Sequence, residues 1–230
     1  MGKSGELNGY FIMRLRTLAE WLVILIPVFV IGFLIFNFVT GTGNTAGPSG
    51  LPGNGGFFQS PLSPSQHYTT SSGEWEFTLT SDYAYTLAGK VVGRHEYPAA
   101  MPAGIIPLDL AVVNGDLVRP DILTYFTFTM GDHTLEYSYD VPNFTGLTES
   151  YIDEHISNSH LVFLNATLES EVKKAPVNSC LIIKGNLVDI RGVSPHSLYI
   201  VNTSTVRNDS YPAGCEIILV NSYTPVSCGN

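Results

Sequence analysis

The sequence predicts an α+β, mainly β protein with three parts. We expect a single N-terminal transmembrane helix, a flexible linker, and a compact, mainly antiparallel β domain with two short helices. Three observations predict this: an uncharged apolar run, a stretch rich in Gly, Pro and Ser, and many short alternating segments after Glu74. The expected boundaries are a cytoplasmic N-terminus at 1–20, the transmembrane helix at 21–39, the linker at 40–73, the β domain at 74–226 and a tail at 227–230.

The apolar run extends from Trp21 to Val39 and contains no charged residue. At 1.5 Å per residue, a helix of this length spans about 28 Å, which is enough to cross a hydrocarbon core. Lys3, Arg14 and Arg16 precede the run, and no basic residue follows it before Lys90. The positive-inside rule therefore predicts a cell-membrane protein with its N-terminus in the cytoplasm and its large C-terminal part outside. A cleaved signal peptide is the competing interpretation, but its apolar core is usually shorter.

Residues 40–73 contain no Asp, Glu, Lys or Arg and are dominated by Gly, Pro, Ser and Thr. Such a segment buries too little apolar surface to offset the entropy lost on ordering, so we expect a flexible tether.

The β domain is acidic. From Glu74 onward the chain has 18 acidic and 8 basic residues, and the other two acidic and three basic residues precede Trp21. This acidic balance argues against nucleic acid as a partner, because phosphate binding requires clustered Lys and Arg.

The segments of the β domain differ in their hydrophobic periodicity. Strands are predicted where polar and apolar residues alternate or where β-branched and aromatic residues dominate, at Glu74–Thr80, Tyr83–Tyr97, Ile105–Val113, Ile122–Met130, 134–141, and again in the segments that begin at Cys180, Ser197 and Cys215. A hairpin is expected across Gly131-Asp132-His133. The long segment that contains Gly185 is compatible with a small barrel-like sheet.

Two short helices are predicted in the middle of the domain. Thr148–Ile156 places apolar residues on one face and acids in its first turn, and Asn165–Lys174 ends on two lysines. Four N-x-S/T sequons lie after the anchor and none before it; their asparagines are Asn143, Asn165, Asn202 and Asn208. We expect these to be glycosylation sites on the outside of the membrane.

Cys180, Cys215 and Cys228 are the only cysteines. An oxidising exterior favours a disulfide, and Cys180–Cys215 is the first choice because each of these residues opens a predicted strand. Cys215–Cys228 is the second choice, and either pairing leaves one cysteine over. The spacing of the three does not match a zinc site.

The segment DEHISNSHLVFL contains the other candidates for chemistry. Asp153, Glu154, His155 and His160 could form a metal-binding or acid–base cluster, although no H-E-x-x-H or G-x-S-x-G motif is present. The alternative is structural: His155 caps or packs a helix, and His160 opens a strand. The other domain histidines, including His133, are expected in solvated turns. No cofactor is predicted.

Several segments resemble an uncharacterised prokaryotic family of membrane-anchored proteins. They are YTLAGKVVGRHEY, PLDLAVVNGDLVRPDIL, HISNSHLVFLNATLESEV, LIIKGNLVDIRG and STVRNDSYPAGCEIILV, and together they extend over about Tyr83 to Val220. The family has a closing pattern of Ser, then Arg and Asp, then Cys-Glu, which Ser204, Arg207, Asp209, Cys215 and Glu216 match. Cys180 departs from the family, where an acidic turn residue is usual. The resemblance implies a location and a fold, and it directs attention to Cys215.

The sequence leaves two candidate functions. The first is a non-enzymatic outer domain that binds a partner or belongs to an envelope complex, and it follows from the absence of a recognised catalytic motif. The second is a thiol or hydrolytic enzyme that uses Cys215 with His155 or His160, with Asp209 or Glu216 orienting the base. A bridge from Cys215 to another cysteine would exclude the second, because the nucleophile must be a free thiol.

Overall fold

Nine strands and three short helices make up the part of the chain that the computed structural model describes, residues 50–99, 102–140, 142, 145–206 and 215–228. The strands are β1 Gly56–Ser72, β2 Trp75–Glu96, β3 Leu108–Val113, β4 Phe126–Met130, β5 Leu135–Tyr139, β6 Ile156–Val162, β7 Cys180–Val193, β8 Leu198–Val201 and β9 Glu216–Val226. The helices are α1 Pro120–Leu123, α2 Glu149–Glu154 and α3 Ala166–Val172. The domain is therefore mainly β, as the sequence predicts.

Seven strands form one sheet in the order β1-β2-β3-β6-β9-β7-β8, and β2 pairs with β7 as well. The pairings β2–β3, β3–β6, β6–β9 and β9–β7 therefore lead back to β2 and close five strands into a ring. All contacts in the ring are antiparallel except β6–β9, which is parallel. The remaining two strands, β4 and β5, form a separate antiparallel hairpin.

Two glycines allow neighbouring strands of the ring to approach closely. A Cβ atom on Gly89 would lie 2.3 Å from the carbonyl oxygen of Val113, and one on Gly185 would lie 2.2 Å from that of Leu219. Both distances are far below van der Waals contact, so neither position accepts a side chain without movement of the backbone.

One apolar cluster gathers side chains from all five strands of the ring, among them Leu87, Leu110, Leu161, Leu187 and Ile218. Successive residues of a strand point to opposite faces, so the residues between these point away from the cluster. Two further apolar clusters pack on that other face. The β4–β5 hairpin, α1 and α2 contribute to one of them, and residues of β1 and β8 pack against the other.

The expectation of a flexible tether at 40–73 is wrong for residues 56–72. These form β1, a strand of 17 residues that pairs along β2 from Gly56 opposite Ala88 to Ser72 opposite Trp75. The composition of this segment provides little apolar surface to offset the entropy lost on ordering. Backbone hydrogen bonds to a long partner strand offset that loss instead. The described residues before Glu74 therefore belong to the same compact unit as the rest of the described chain.

Both predicted helices are present but shorter than their predicted ranges, and the residue before each caps its first turn. Thr148 accepts a hydrogen bond from the Tyr151 amide, and the Asn165 side chain accepts from the Thr167 and Leu168 amides. The strand predicted at Ile122–Met130 begins only at Phe126, because Pro120 starts α1 instead.

The predicted transmembrane segment, 21–39, lies outside the described residues. Within the described residues, no helix is both long and apolar enough to cross a membrane.

The predicted Cys180–Cys215 disulfide is wrong. Cys180 is bonded to Cys228, 48 residues further along the chain, and Cys215 is free. The physical reason is register: Cys180 lies opposite Val226 near the end of β9, whereas Cys215 immediately precedes the first residue of β9. The bridge thus joins the start of β7 to the end of β9.

We expect the Cys180→Ser/Cys228→Ser double variant to lose about 4 kcal/mol of unfolding free energy, because a closed loop of this length restricts the unfolded chain by about that amount. Urea denaturation monitored by circular dichroism measures the change. Cys215→Ser is the matched control and should change the unfolding free energy by well under 1 kcal/mol. An equal loss in Cys215→Ser would contradict the observed pairing.

Candidate functional site

The candidate site starts from two residues that face each other across β3 and β6. Asp109 and His160 are direct cross-strand partners in this antiparallel pair, so their side chains project from the same face. Both are buried: Asp109 is 0% and His160 7% exposed. They point away from the apolar interior of the ring, since their neighbours Leu108, Leu110 and Leu161 face inward.

Cys215 lies next to this pair because β9 runs parallel to β6. Ser159 pairs with Glu216 and His160 with Ile217, so the residue before β9 lies beside Asn158. The Nδ2 atom of Asn158 is 3.9 Å from the Cys215 Sγ atom. The thiol is partly exposed.

His160 connects the carboxylate to the thiol. Its Nδ1 atom is 2.7 Å from Asp109 Oδ1, which leaves Nε2 as the nitrogen that can face Cys215. Burial favours the neutral imidazole and is the largest single influence, but hydrogen bonds and charge interactions with Asp109 and Cys215 together outweigh it. They raise the pKa of His160 to about 9.

Asp109 is the centre of the hydrogen-bond network. Its Oδ2 atom accepts from the Tyr97 hydroxyl at 2.8 Å and lies 3.1 Å from Nδ1 of His133. Burial by itself would raise the pKa of Asp109, yet hydrogen bonds from His133 and His160 and the charges of both rings lower it overall. The carboxylate therefore stays ionised although it is buried.

The β4–β5 hairpin places His133 beside the Asp109 carboxylate. His133 lies in the four-residue loop between the two strands and adopts a positive φ of 53°, which is uncommon for a residue other than glycine. Its amide donates to the Tyr97 hydroxyl at 2.7 Å, and its ring stacks on the Tyr97 ring with centroids 3.9 Å apart. The solvated turn expected for His133 is thus wrong, because this histidine is half-buried against Asp109.

Burial raises the pKa of the Tyr97 hydroxyl, and the neighbouring Asp109 charge raises it further; the hydrogen bond from the His133 amide opposes both. Tyr97 therefore stays protonated and acts as a donor to the carboxylate throughout the physiological range.

The structure separates the predicted site residues into two groups. Cys215 and His160 are brought together, as the enzymatic hypothesis requires. Glu216 is not part of this pair: it faces the interior of the ring, where it accepts from the Tyr85 hydroxyl at 3.2 Å and the Ser157 hydroxyl at 3.0 Å. Adjacent residues in an extended chain point to opposite faces, so Glu216 cannot share a site with Cys215.

His155 has the structural role that the sequence offered as its alternative. It ends α2, its ring stacks on Tyr151 at a centroid distance of 3.8 Å, and its Nδ1 atom is 2.7 Å from the Tyr151 carbonyl oxygen. Asp153 accepts from Tyr137 and Glu154 from Ser150. The expected grouping of Asp153, Glu154, His155 and His160 is therefore not formed, since His160 contacts Asp109 instead. Arg207 and Asp209 lie outside the described residues.

Four members of the network were missed from the sequence: Asp109, His133, Tyr97 and Asn158. One signal was available for Asp109. It is a lone carboxylate within LDLAVV, a strand whose six residues are all buried, and a buried charge requires a partner. His133 and Tyr97 carry no such signal, because their positions depend on how the hairpin folds onto the sheet.

A cation could use part of the same network. Within the described residues, Asp109, His133 and His160 form the one group whose ligand atoms lie within 4.8 Å of one another. The Nδ1 atoms of both histidines already lie at hydrogen-bond distance from the carboxylate, so an ion would have to displace both protons. The hydrogen-bonded arrangement is the simpler account of these distances.

The order carboxylate, imidazole, thiol is the order required for nucleophilic catalysis. Asp109 fixes the tautomer and orientation of His160, and His160 can take the proton of Cys215.

Two of the predicted sequons lie inside the described residues, and their asparagines, Asn165 and Asn202, are both exposed.

Neither a protein-family model, a curated protein nor a solved structure significantly matches this chain. The function therefore has to be argued from the site itself.

The stability of the protein should depend on pH through His160 and Asp109. The raised pKa of His160 means that its contribution is fully present below about pH 6.5 and is lost as the pH rises through about 9. The lowered pKa of Asp109 means that its contribution is present above about pH 4 and is lost on acidification. We expect maximal stability between these limits and a loss of about 3 kcal/mol from pH 6.5 to above pH 9, measured by urea denaturation.

Asp109→Asn should remove most of the loss above pH 6.5, because His160 then lacks the charge that holds its proton. Asp189→Asn is the matched control: this carboxylate is exposed and accepts a hydrogen bond from the Thr203 amide. An unchanged alkaline slope in Asp109→Asn would show that the carboxylate does not control the protonation of His160.

Proposed function

We propose that the domain is a cysteine-dependent acyl-transfer enzyme with Cys215 as nucleophile, His160 as general base and Asp109 as the residue that orients the base. The substrate class is an amide or ester, with water as the final acceptor in the hydrolytic case. The observation that carries the proposal is the free thiol of Cys215 beside an imidazole whose other nitrogen is 2.7 Å from a buried carboxylate.

The reaction follows from these positions. In the neutral form of His160, which its pKa of about 9 makes a minor fraction at neutral pH, Nε2 takes the Cys215 proton. The sulfur then forms a bond to the substrate carbonyl carbon while the carbonyl electrons move to oxygen. The oxyanion collapses, the bond to the leaving group breaks, and the imidazolium supplies the leaving group with a proton. Water, deprotonated by His160, then attacks the thioester and releases the acid and the thiol. Asp109 stabilises the imidazolium at each stage.

The disulfide pattern supports this proposal over a structural role for Cys215. Three cysteines can form one disulfide in an oxidising exterior, and one thiol then stays unpaired. Because Cys180 is bonded to Cys228, the unpaired thiol is that of Cys215, which lies beside His160. The same bridge also fixes β7 to β9, whose first residues adjoin the site.

A non-enzymatic binding domain is the second candidate. The observation that favours it is the edge strand β8, where Leu198 and Ile200 are 54% and 58% exposed. An exposed apolar edge strand is a surface on which a partner protein of the envelope could pair. This surface is independent of the Cys215 site, so the two functions can be tested separately.

The proposed setting is the outer side of a cell membrane. The apolar run at 21–39 would serve as an uncleaved anchor in the lipid bilayer, and the basic residues before it would keep the N-terminus in the cytoplasm. The sequons at Asn143, Asn165, Asn202 and Asn208 are proposed as glycosylation sites in this setting. The acidic balance of the domain supports the exclusion of nucleic acid.

The decisive test uses the full-length protein in detergent with p-nitrophenyl acetate as acyl donor. We expect release of p-nitrophenol and an acetyl adduct on Cys215 in the wild type, and loss of both in Cys215→Ser. His160→Gln should slow acylation by about 100-fold or more, because a positioned general base contributes about that factor. Mass spectrometry of trapped protein and absorbance of p-nitrophenol measure the two products.

His155→Gln is the matched control, since it changes the other histidine of the same segment and should leave the rate within about twofold. Equal rates in the wild type and in Cys215→Ser would overturn the proposed enzyme. Equal effects of the two histidine substitutions would show that the loss comes from folding and not from base catalysis.

Protease added outside intact cells should digest the domain formed by residues 50–228, because the charge asymmetry around 21–39 predicts that it is outside. Immunoblotting with an epitope at the C-terminus follows the loss, and a cytoplasmic protein serves as the control for cell integrity. Complete protection of the epitope in intact cells, with digestion only after permeabilisation, would contradict the orientation.

A further inference from the structure

We infer that Asn158 supplies the side-chain hydrogen bond that stabilises the oxyanion during acyl transfer to Cys215. This inference rests on the proposed function and assigns a catalytic role to a residue that the sequence motifs do not indicate. The observation behind it is the position of the Asn158 amide nitrogen, 3.9 Å from the nucleophilic sulfur.

Asn158 lies on the same face of β6 as His160, because the two residues are two positions apart in a strand. One strand thus places both a donor and a base next to the thiol. When a carbonyl carbon is bonded to Sγ, its oxygen lies closer to Sγ than Nδ2 does. The Asn158 amide can therefore approach that oxygen to the 2.7–3.1 Å at which an oxyanion donor acts, roughly a hydrogen-bond length.

The orientation of the amide is set by the β4–β5 loop. Nδ2 of Asn158 donates to the His133 carbonyl oxygen at 3.4 Å, and the second proton on Nδ2 is the one directed toward Cys215. The opposite orientation would place Oδ1 against the His133 carbonyl oxygen, and two acceptors repel each other. The nitrogen, and not the oxygen, is therefore the atom that faces the site.

The hydrogen bond from Nδ2 of Asn158 to the His133 carbonyl oxygen leaves the other end of the amide, Oδ1, unexplained. The residue is 5% exposed, and within the described part of the chain its Oδ1 atom is the one buried side-chain polar atom without a hydrogen-bond partner. Buried polar side chains are normally satisfied, so an exception calls for another explanation. Its cross-strand neighbour on β3 is Ala111. The unsatisfied atom is the acceptor Oδ1, whereas the proposed donor role belongs to Nδ2, which contacts His133 and Cys215.

The test compares two reactions of the same sulfur. Acylation by p-nitrophenyl acetate passes through an oxyanion, whereas alkylation by iodoacetamide is a direct displacement of iodide and forms no oxyanion on a carbonyl. We expect Asn158→Ala in the full-length protein to slow acylation by about 100-fold or more, the effect of removing one such donor. Alkylation of Cys215 should stay within about twofold of the wild type.

Asn158→Asp has nearly the same shape and protects the test against a folding defect in the alanine variant. Its carboxylate has no proton to donate, so acylation should again fall while the urea midpoint stays close to that of the wild type. Asn186→Ala is the matched control, because Asn186 is also 5% exposed and its amide contacts Gln66 and Tyr68 on β1. This control should leave both rates within about twofold.

Each outcome decides between the proposals. A parallel loss of acylation and alkylation in both Asn158 variants would assign Asn158 to the thiol or to folding and overturn the inference. Unchanged acylation would overturn it as well, while leaving the enzyme intact. A wild type that is alkylated rapidly but acylated no faster than Cys215→Ser would overturn the proposed function, and the oxyanion role with it.

Discussion

The buried carboxylate of Asp109 is the constraint on which the rest of the site depends. A charge without solvent is costly unless several donors surround it, and here the donors come from three separate parts of the chain. His160 comes from the neighbouring strand, Tyr97 from the segment after β2, and His133 from the β4–β5 loop. Removing any one donor leaves part of this cost uncompensated, so the carboxylate holds the hairpin and the sheet together. The ionised state of Asp109 in turn keeps the proton on His160.

Strand alternation explains which polar residues share the site and which do not. On β6, Asn158 and His160 project outward, whereas Ser157 and Ser159 project into the ring and contact each other at 2.8 Å. On β9 the same rule sends Glu216 inward, to Ser157. The fold therefore carries two polar networks on opposite faces of one pair of strands, and only the outer one contains a thiol. The inner one satisfies a buried carboxylate within an apolar core.

The sequence sufficed for the elements whose signals are local. The acidic first turn of α2, the lysines that follow α3 and the alternation of β5 act within a few residues, so these elements were predicted. The segment now in β1 was not, because its order depends on backbone pairing with β2 and not on its own composition. The pairing of Cys180 with Cys228 and the contact of Asp109 with His160 likewise depend on register between distant strands. Cys215 and His160 could be named as candidates, but the carboxylate that joins them could not.

The backbone of His133 shows how the site restrains its own geometry. A residue other than glycine in the left-handed region costs on the order of 1 kcal/mol, so the loop must gain this energy from contacts. Its amide, ring and carbonyl oxygen each have a partner in the site: Tyr97, Asp109 and Asn158 respectively. One strained residue thus orients both the carboxylate that acts on the base and the amide proposed to bind the oxyanion. Because such conformations persist only where the surroundings impose them, the hairpin loop is best understood as part of the proposed reaction centre and not only as a connection between two strands.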